Sequence, residues 1–304
     1  MNNLVVGFDC GATHTRTAVW RGDEIVWKRD DLPGINLDIT GKDEATHLLM
    51  PVMKELSAYE DATWIIGMAG LDSVEEVNEA DQWMKRLLSS GGVKYSVLRV
   101  VSDIDLVLWS GSVEGVGIAL IAGTGSNCVG RDKSGREIKT GGMSHLMSDE
   151  GSGFALGWRC LHLVTKMSDG RAVTTKLLKE VLTLYKKRDV VSLKNWLVSS
   201  DNMKLEIARA AIPYLAAAGR GERVADEGVL MEIGELVQMV SAVNRRLSPI
   251  HHVPVFLAGS LFRNEFFLTS FKNKLKATFY DQKSVLVAPL DGALNIGRST
   301  RGLP

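Results

Sequence analysis

The sequence predicts an α/β protein made of two similar halves. Three observations carry this. Short apolar runs alternate with stretches of helical period. The order apolar strand, Gly/Thr turn, strand, turn, strand occurs twice, from Leu4 and again from Gly117. The chain has 304 residues, 45% hydrophobic and 24% charged, which is globular composition at a length suited to about two domains.

In order along the chain, Leu4 to Phe8 is an apolar run closed by Asp9-Cys10-Gly11-Ala12-Thr13. The alternation of Thr15, Thr17 and Val19 follows, then the turn Arg21-Gly22-Asp23 and Ile25-Val26-Trp27. Three successive antiparallel strands are expected. Ala45, Leu48, Leu49, Val52, Met53 and Leu56 fall on one helical face, with a kink expected at Pro51. Asp72-x-x-Glu75 is an Asp-led relative of the capping box, ahead of Val77, Ala80, Trp83, Met84, Leu87 and Leu88. In the second half, Ile118 to Ile121, the turn at Gly123 to Ser126, a strand through Cys128 and Val129, a turn at Lys133-Ser134-Gly135 and Glu137-Ile138 repeat the opening plan. Helices are expected over about 152–166, 172–187, 203–218 and 227–247. A strand at 253–257, a Gly259-Ser260 turn, a helix over 264–276, a strand at 285–288 and a last helix over 292–298 close the chain. We expect a first domain over 1–113, with a C-terminal helix at about 289–304 packing back on it, and a second domain over 114–288. Trp64, Trp109 and Trp158 are expected in the core, and His251-His252 in a turn rather than a metal pair.

With 36 Lys+Arg against 36 Asp+Glu the formal charge is zero, which argues against nucleic acid as a partner. The apolar stretches 116–122 and 253–261 are far below the roughly 18 residues that span a bilayer. Cys10, Cys128 and Cys160 are widely separated and form no C-x-x-C pair, against a disulfide framework and a zinc site. A cytoplasmic, reduced location is expected.

Asp9-x-Gly11-x-Thr13-x-Thr15 has the residue types of an anion-binding turn. A glycine lets backbone N–H groups approach a phosphate, threonines add donors, and the Asp9 carboxylate at the strand end can hold hydrated Mg²⁺. Taken singly the signal is weak, and an ordinary tight hairpin is the better reading. The matching turn Gly123-Thr124-Gly125-Ser126-Asn127 raises the reading, because two such loops could clasp one polyphosphate. A third element is the strand 97–102, which delivers Asp103 to the start of a helix. With Ser102 as N-cap, Asp103 falls in the first turn, where the helix dipole favours a carboxylate suited to taking a hydroxyl proton. Asp105, at the N3 position, is the competing acid. Gly141 to Gly153 interleaves small residues with two acids and can wall a polyhydroxylated ligand, with Asp149 accepting hydroxyl protons. Ala258-Gly259-Ser260 offers backbone against which a flat base could lie.

These blocks, in this order, resemble the sugar-kinase, heat-shock ATPase and actin superfamily. More narrowly they resemble the BadF/BadG/BcrA/BcrD ATPase family in its N-acetylglucosamine kinase branch. The most specific stretches are Ile121-Ala122-Gly123-Thr124-Gly125-Ser126-Asn127-Cys128 and Ser148-Asp149-Glu150-Gly151-Ser152, supported by Ala258-Gly259-Ser260-Leu261 and by Leu290-Asp291-Gly292-Ala293-Leu294-Asn295-Ile296-Gly297. The resemblance implies two ribonuclease-H-like domains with an interdomain cleft, ATP and Mg²⁺ as cofactors, and phosphoryl transfer to a sugar hydroxyl. It implies that Gly11, Thr13 and Thr15 serve the phosphates with Asp9 on the metal. Gly123, Thr124 and Gly125 would lie on the nucleotide side, with Gly259, Ser260 and Arg263 bordering the adenosine and Ala218 a further nucleotide contact. Asn36, Ser126, Asn127, Gly142, Met143, Ser144 and Asp149 would meet the sugar, and Asp103 would be the base.

Two positions depart from the N-acetylglucosamine kinases. Met143 stands where they carry tryptophan, and Asp38 where they carry an aromatic residue. A sugar acid, 2-keto-3-deoxygluconate, is the rival substrate. An ATPase activating a radical dehydratase is the rival of another class, disfavoured because the cysteines are not grouped for an iron–sulfur cluster. A sugar-responsive regulator is disfavoured by the balanced charge. A homodimer is left open.

Overall fold

The computed structural model describes residues 4–247, 254–279 and 283–302. His251-His252 and the first residue of the strand expected from Val253 lie outside the described residues. The chain divides into two compact units, one made of 4–119, 129–137 and 285–302, the other of 120–128 and 138–284.

The first unit opens with β1 (Leu4–Cys10), β2 (His14–Arg21) and β3 (Glu24–Pro33), an antiparallel meander. α1 (Leu37–Glu55) leads to β4 (Thr63–Met68), α2 (Val74–Ser90) to β5 (Val97–Ser102), and α3 (Asp103–Gly111) follows. The sheet order is β3-β2-β1-β4-β5, with β1, β4 and β5 parallel. β1 and β4 are buried at every residue, as strands covered on both faces must be. Alternation sorts their side chains. Val6, Phe8, Trp64 and Ile66 join Leu49, Met53, Met84 and Leu88 of α1 and α2. Val5 and Ile65 face the other way, toward Leu106 and toward Leu290, Ala293 and Ile296 of the last helix.

The second sheet contains β6 (Gly117–Ala122), β7 (Ser126–Arg131) and β8 (Glu137–Gly141), then β9 (Val255–Ala258) and β10 (Ser284–Leu286), in the order β10-β9-β6-β7-β8. That is the order of the first sheet with each strand number raised by five, so the duplication read from the sequence is a duplication of topology. Between β8 and β9 lie α4 (Ser144–Met147), α5 (Gly153–Ser168), α6 (Lys176–Leu184), α7 (Val190–Val198), α8 (Met203–Arg209), α9 (Ala211–Gly219) and α10 (Arg223–Arg246). α11 (Glu265–Thr278) follows β9, and α12 (Pro289–Thr300) closes the chain against β1 and α3.

Three local expectations are corrected. α1 breaks at Gly41 (φ 72°, ψ 162°) rather than at Pro51, because only the glycine tolerates that conformation without steric cost. The cap of α2 is Ser73, not Asp72. Its hydroxyl accepts from the Glu76 N–H while Glu76 reaches back to the N–H groups of Ser73 and Asp72, so the box is one residue later than expected. Trp158 is 46% exposed and not core. It stacks on Phe154 along the outer face of α5, whereas Trp64 is fully buried.

Candidate active site

In the first unit, β1, β4 and β5 run in register, with Cys10 beside Met68 and Met68 beside Ser102. Their carboxyl ends therefore lie along one sheet edge. The Gly11 turn and Asp103 stand there two strand spacings apart, roughly 10 Å. The turn is closed by Gly11 N–H donating to the His14 carbonyl at 3.1 Å. Thr13 is exposed on it and Thr15 is fully buried in β2. Asn36 reaches the same edge. The Ile35 N–H donates to Gly11 O at 2.9 Å, and Asn36 pairs with Ala69, whose own N–H donates to Cys10 O. Gly34 is obligatory in this knit, since a Cβ there would stand 2.4 Å from the Ala12 carbonyl oxygen. Asn36 Oδ1 caps α1 by accepting the Asp38 N–H at 3.0 Å, and its amide NH₂ takes no part in the cap.

Asp9 is 6% exposed and paired with Arg16 at 3.2 Å. Burial pushes its carboxyl above the ordinary range, and Arg16 opposes that shift. Arg16 was missed in the sequence reading. Its signal was available, because on β2 it stands directly opposite Asp9. Ser102 caps α3 as expected, placing Asp103 in the first turn. Asp105 is the capping acid. It accepts from the Ser102 hydroxyl at 2.8 Å and from Arg131 at 2.6 Å.

In the second unit, the Gly123–Ser126 turn links β6 to β7. Gly123 N–H donates to Gly125 O at 2.9 Å, and the first N–H groups of α5, Gly153 and Phe154, donate to the Gly123 and Thr124 carbonyls at 2.7 and 3.1 Å. Gly259 ends β9 beside it at φ 108°, its missing Cβ leaving room for Ala122 O, and Ser260 and exposed Arg263 follow. Ala218 is buried in α9, where its carbonyl accepts the Gly221 N–H at 2.8 Å, and the structure does not bring it to this turn. Ser126 and Asn127 start β7. Ser126 is buried, its hydroxyl donating to Glu150 O at 2.6 Å, and Asn127 Oδ1 is buried without a hydrogen-bond partner. Gly142 packs on Asn127, where a Cβ would stand 2.7 Å from the Asn127 Cβ. Met143 is 58% exposed, and Ser144 opens α4 at φ 66°. Asp149 is 3% exposed at φ 70°. It accepts the Ser126 N–H at 3.0 Å and lies 2.8 Å from Lys204 Nζ. Lys204 and Glu232, which accepts the Gly151 N–H at 2.6 Å, were also missed, because they reach this turn from distant helices with no local signature.

The second unit thus gathers 123–127, 142–154 and 259, and the first gathers 9–16, 34–36 and 103. Backbone N–H groups at glycine turns, a buried orphan acceptor and a carboxylate at a helix start suit phosphate and polyol chemistry. The sequence profile of the BadF/BadG/BcrA/BcrD ATPase family matches residues 6–294. The chain belongs to that family. Among curated relatives, an N-acetylmuramic acid/N-acetylglucosamine kinase of Clostridium acetobutylicum is 28% identical over 305 residues, covering 97% of this chain and 98% of its own. An N-acetyl-D-glucosamine kinase of Dictyostelium discoideum is 27% identical over 206 residues, covering 62% and 63%. Among solved structures, a candidate N-acetylglucosamine kinase from Chromobacterium violaceum superposes with TM-score 0.73 at 21% identity, over 97% of this chain and 99% of that one. A Schistosoma mansoni hexokinase gives TM-score 0.62 at 15% identity, over 98% and 85%. The fold of this family member is therefore that of the actin-like ATPases and hexokinases. None of its described helices is long and apolar enough to cross a membrane.

Proposed function

We propose that this protein is an ATP-dependent carbohydrate kinase that phosphorylates a hydroxyl of a small sugar of the N-acetylglucosamine or glucosamine class. Family membership and the end-to-end match to a sugar kinase support the reaction class. The observation that carries the chemistry is the placement of Asp103 as the first residue of α3, directly after β5 and capped by Ser102, where the helix dipole favours negative charge. Asp103 is then the base, and Asp105, bound by Ser102 and Arg131, has a structural role. In this reading the acceptor hydroxyl attacks the γ-phosphorus, the bond to the bridging oxygen breaks, ADP leaves, and Asp103 takes the hydroxyl proton. The Gly11 and Gly123 turns bind phosphate oxygens through backbone N–H groups. Gly259, Ser260 and Arg263 border the base, while Asn36, Ser126, Asn127, Gly142, Met143, Ser144 and Asp149 orient the sugar. The buried Asn127 Oδ1 is an acceptor for a sugar hydroxyl.

Mg²⁺ is tested by the donor set. Among the described residues no group of three or more His, Cys, Asp or Glu side chains could hold a metal. Asp9 is a single buried carboxylate at the phosphate turn, which fits an ion whose remaining ligands are phosphate oxygens and water. Asp9 would hold it, and the ion would neutralise charge on the transferring phosphoryl group.

Exposed Met143 and the charge of Asp38 give an N-acyl group less apolar wall than an aromatic pair would, so unacylated and acidic sugars belong in the assay. The relatives lend no support to 2-keto-3-deoxygluconate or to a dehydratase activator. ADP release should be measured with no sugar and with glucose, glucosamine, N-acetylglucosamine, N-acetylmuramic acid and 2-keto-3-deoxygluconate. Release that rises strongly with an amino sugar supports the proposal. Sugar-independent release refutes it.

A further inference from the structure

Two charged groups of the second unit take no part in the scheme above, and both brace its phosphate turn. Lys204 comes from α8 with a side chain 14% exposed, and its Nζ stands 2.8 Å from Oδ2 of Asp149. Asp149 is held at φ 70°, a region that costs a non-glycine residue energy and persists only when its surroundings impose it. Its Oδ2 is buried and accepts no hydrogen bond of good geometry, so the ammonium is its counter-charge. Its Oδ1 accepts the Ser126 N–H at 3.0 Å and lies flush against the turn, where a Cβ on Gly125 would stand 2.8 Å away. Glu232 braces the next residues. Its Oε2 accepts the Gly151 N–H at 2.6 Å while Oε1 accepts from Arg159.

A buried carboxylate is costly without a counter-charge and moves toward water when it loses one. The ammonium of Lys204, 2.8 Å from Oδ2, compensates the burial of Asp149 and holds it against the turn, where Oδ1 accepts the Ser126 N–H. We propose that Lys204 is a positioning residue that acts through Asp149 to fix the 123–126 turn for nucleotide phosphate. This rests on the kinase reading for the identity of the ligand.

The test compares K204M, K204Q and K204R by amide hydrogen exchange at Ser126 and by calorimetric binding of ADP. Loss of the charge in K204M is expected to accelerate Ser126 exchange, with amides of β1 and β4 unchanged, since local opening is not shared by the other unit. ADP affinity should fall by about 10-fold or more, the scale on which small misplacements of binding groups act. K204R should restore both. If K204M does not fold, K204Q, which keeps a donor without the charge, carries the same expectation. Unchanged Ser126 exchange in the charge-loss variants overturns the proposal. So does a lowered melting temperature with wild-type ADP affinity, which would make Lys204 a stability residue alone. Neither readout needs turnover, so an absence of sugar-dependent ADP release in the wild type would fault the kinase reading separately.

Discussion

Arg131 donates to Asp105 Oδ1 at 2.6 Å while the Ser102 hydroxyl donates to Oδ2 at 2.8 Å, so both carboxylate oxygens of Asp105 are committed within the first unit. Asp103 opens α3 at the carboxyl edge of the sheet, the position proposed for the base. The two acids should therefore fail differently. Asp103→Asn is expected to lower kcat by about 10²-fold or more with ADP affinity and melting temperature near wild type. Asp105→Ala is expected to cost about 1–2 kcal/mol in urea unfolding, with most of the turnover retained in the folded fraction. Near-normal kcat for Asp103→Asn would transfer the base role to another acid.

Gly34 ties the 34–36 loop to the Gly11 turn. A methyl group there meets the Ala12 carbonyl oxygen at 2.4 Å, backbone against backbone, with no side chain able to yield. Gly34→Ala is expected to destabilise by about 1–3 kcal/mol, as overpacking does, and to raise KM for ATP more than it changes the melt of the second unit. Equal KM values for the variant and the wild type would show that the turn does not meet phosphate.

The fold was legible where period and punctuation agree. β1 to β3 are short runs cut by Gly-containing turns, and the same signals recur from Gly117, so the repeated sheet order follows from local pattern. Features set by competition between neighbours were less legible. Gly41 and Pro51 both break helices, and Ser73 and Asp72 both cap them; tertiary fit chose the first of each pair. Trp158 lies among apolar residues in sequence, yet α5 turns that face outward, where it stacks on Phe154 and meets His162 edge-on. The glycine turns and the start of α3 at Asp103 could be placed because their signals are contiguous. Arg16 could be set opposite Asp9 from the hairpin register, whereas Lys204 and Glu232 reach their turn from distant helices and a single sequence carries no mark of such pairing.

His145 packs edge-on against Phe154 with centroids 5.0 Å apart. Burial lowers its pKa below the ordinary 6.5, and the charge of Lys204 lowers it further, while Asp149 opposes them. A histidine with a depressed folded pKa gives stability that is present above the unfolded value and lost as pH falls through the folded one. Wild type should therefore lose stability relative to His145→Gln between pH 7.5 and pH 5, read as urea midpoints of the two proteins at each pH. A gap between them that stays constant with pH would contradict a depressed pKa at half-buried His145.

The three cysteines are all free and buried, and two of them flank the glycine turns. Burial pushes the Cys10 thiol well above its ordinary value, and the neighbouring Asp9 charge pushes the same way. Burial raises Cys128 to about 12 and also raises Cys160. Thiolate is the reactive species, so none should react in the native state at pH 8. A raised folded pKa contributes stability that is intact below the unfolded thiol pKa of 9.0 and lost as pH climbs toward the folded values. Ellman's reagent at pH 8 should therefore label no thiol in native protein and all 3 after denaturation. Labelling should begin above pH 9, in step with loss of the native circular dichroism signal. Rapid native labelling of one thiol at pH 8 would place that cysteine at an accessible surface and remove the packing described for its turn.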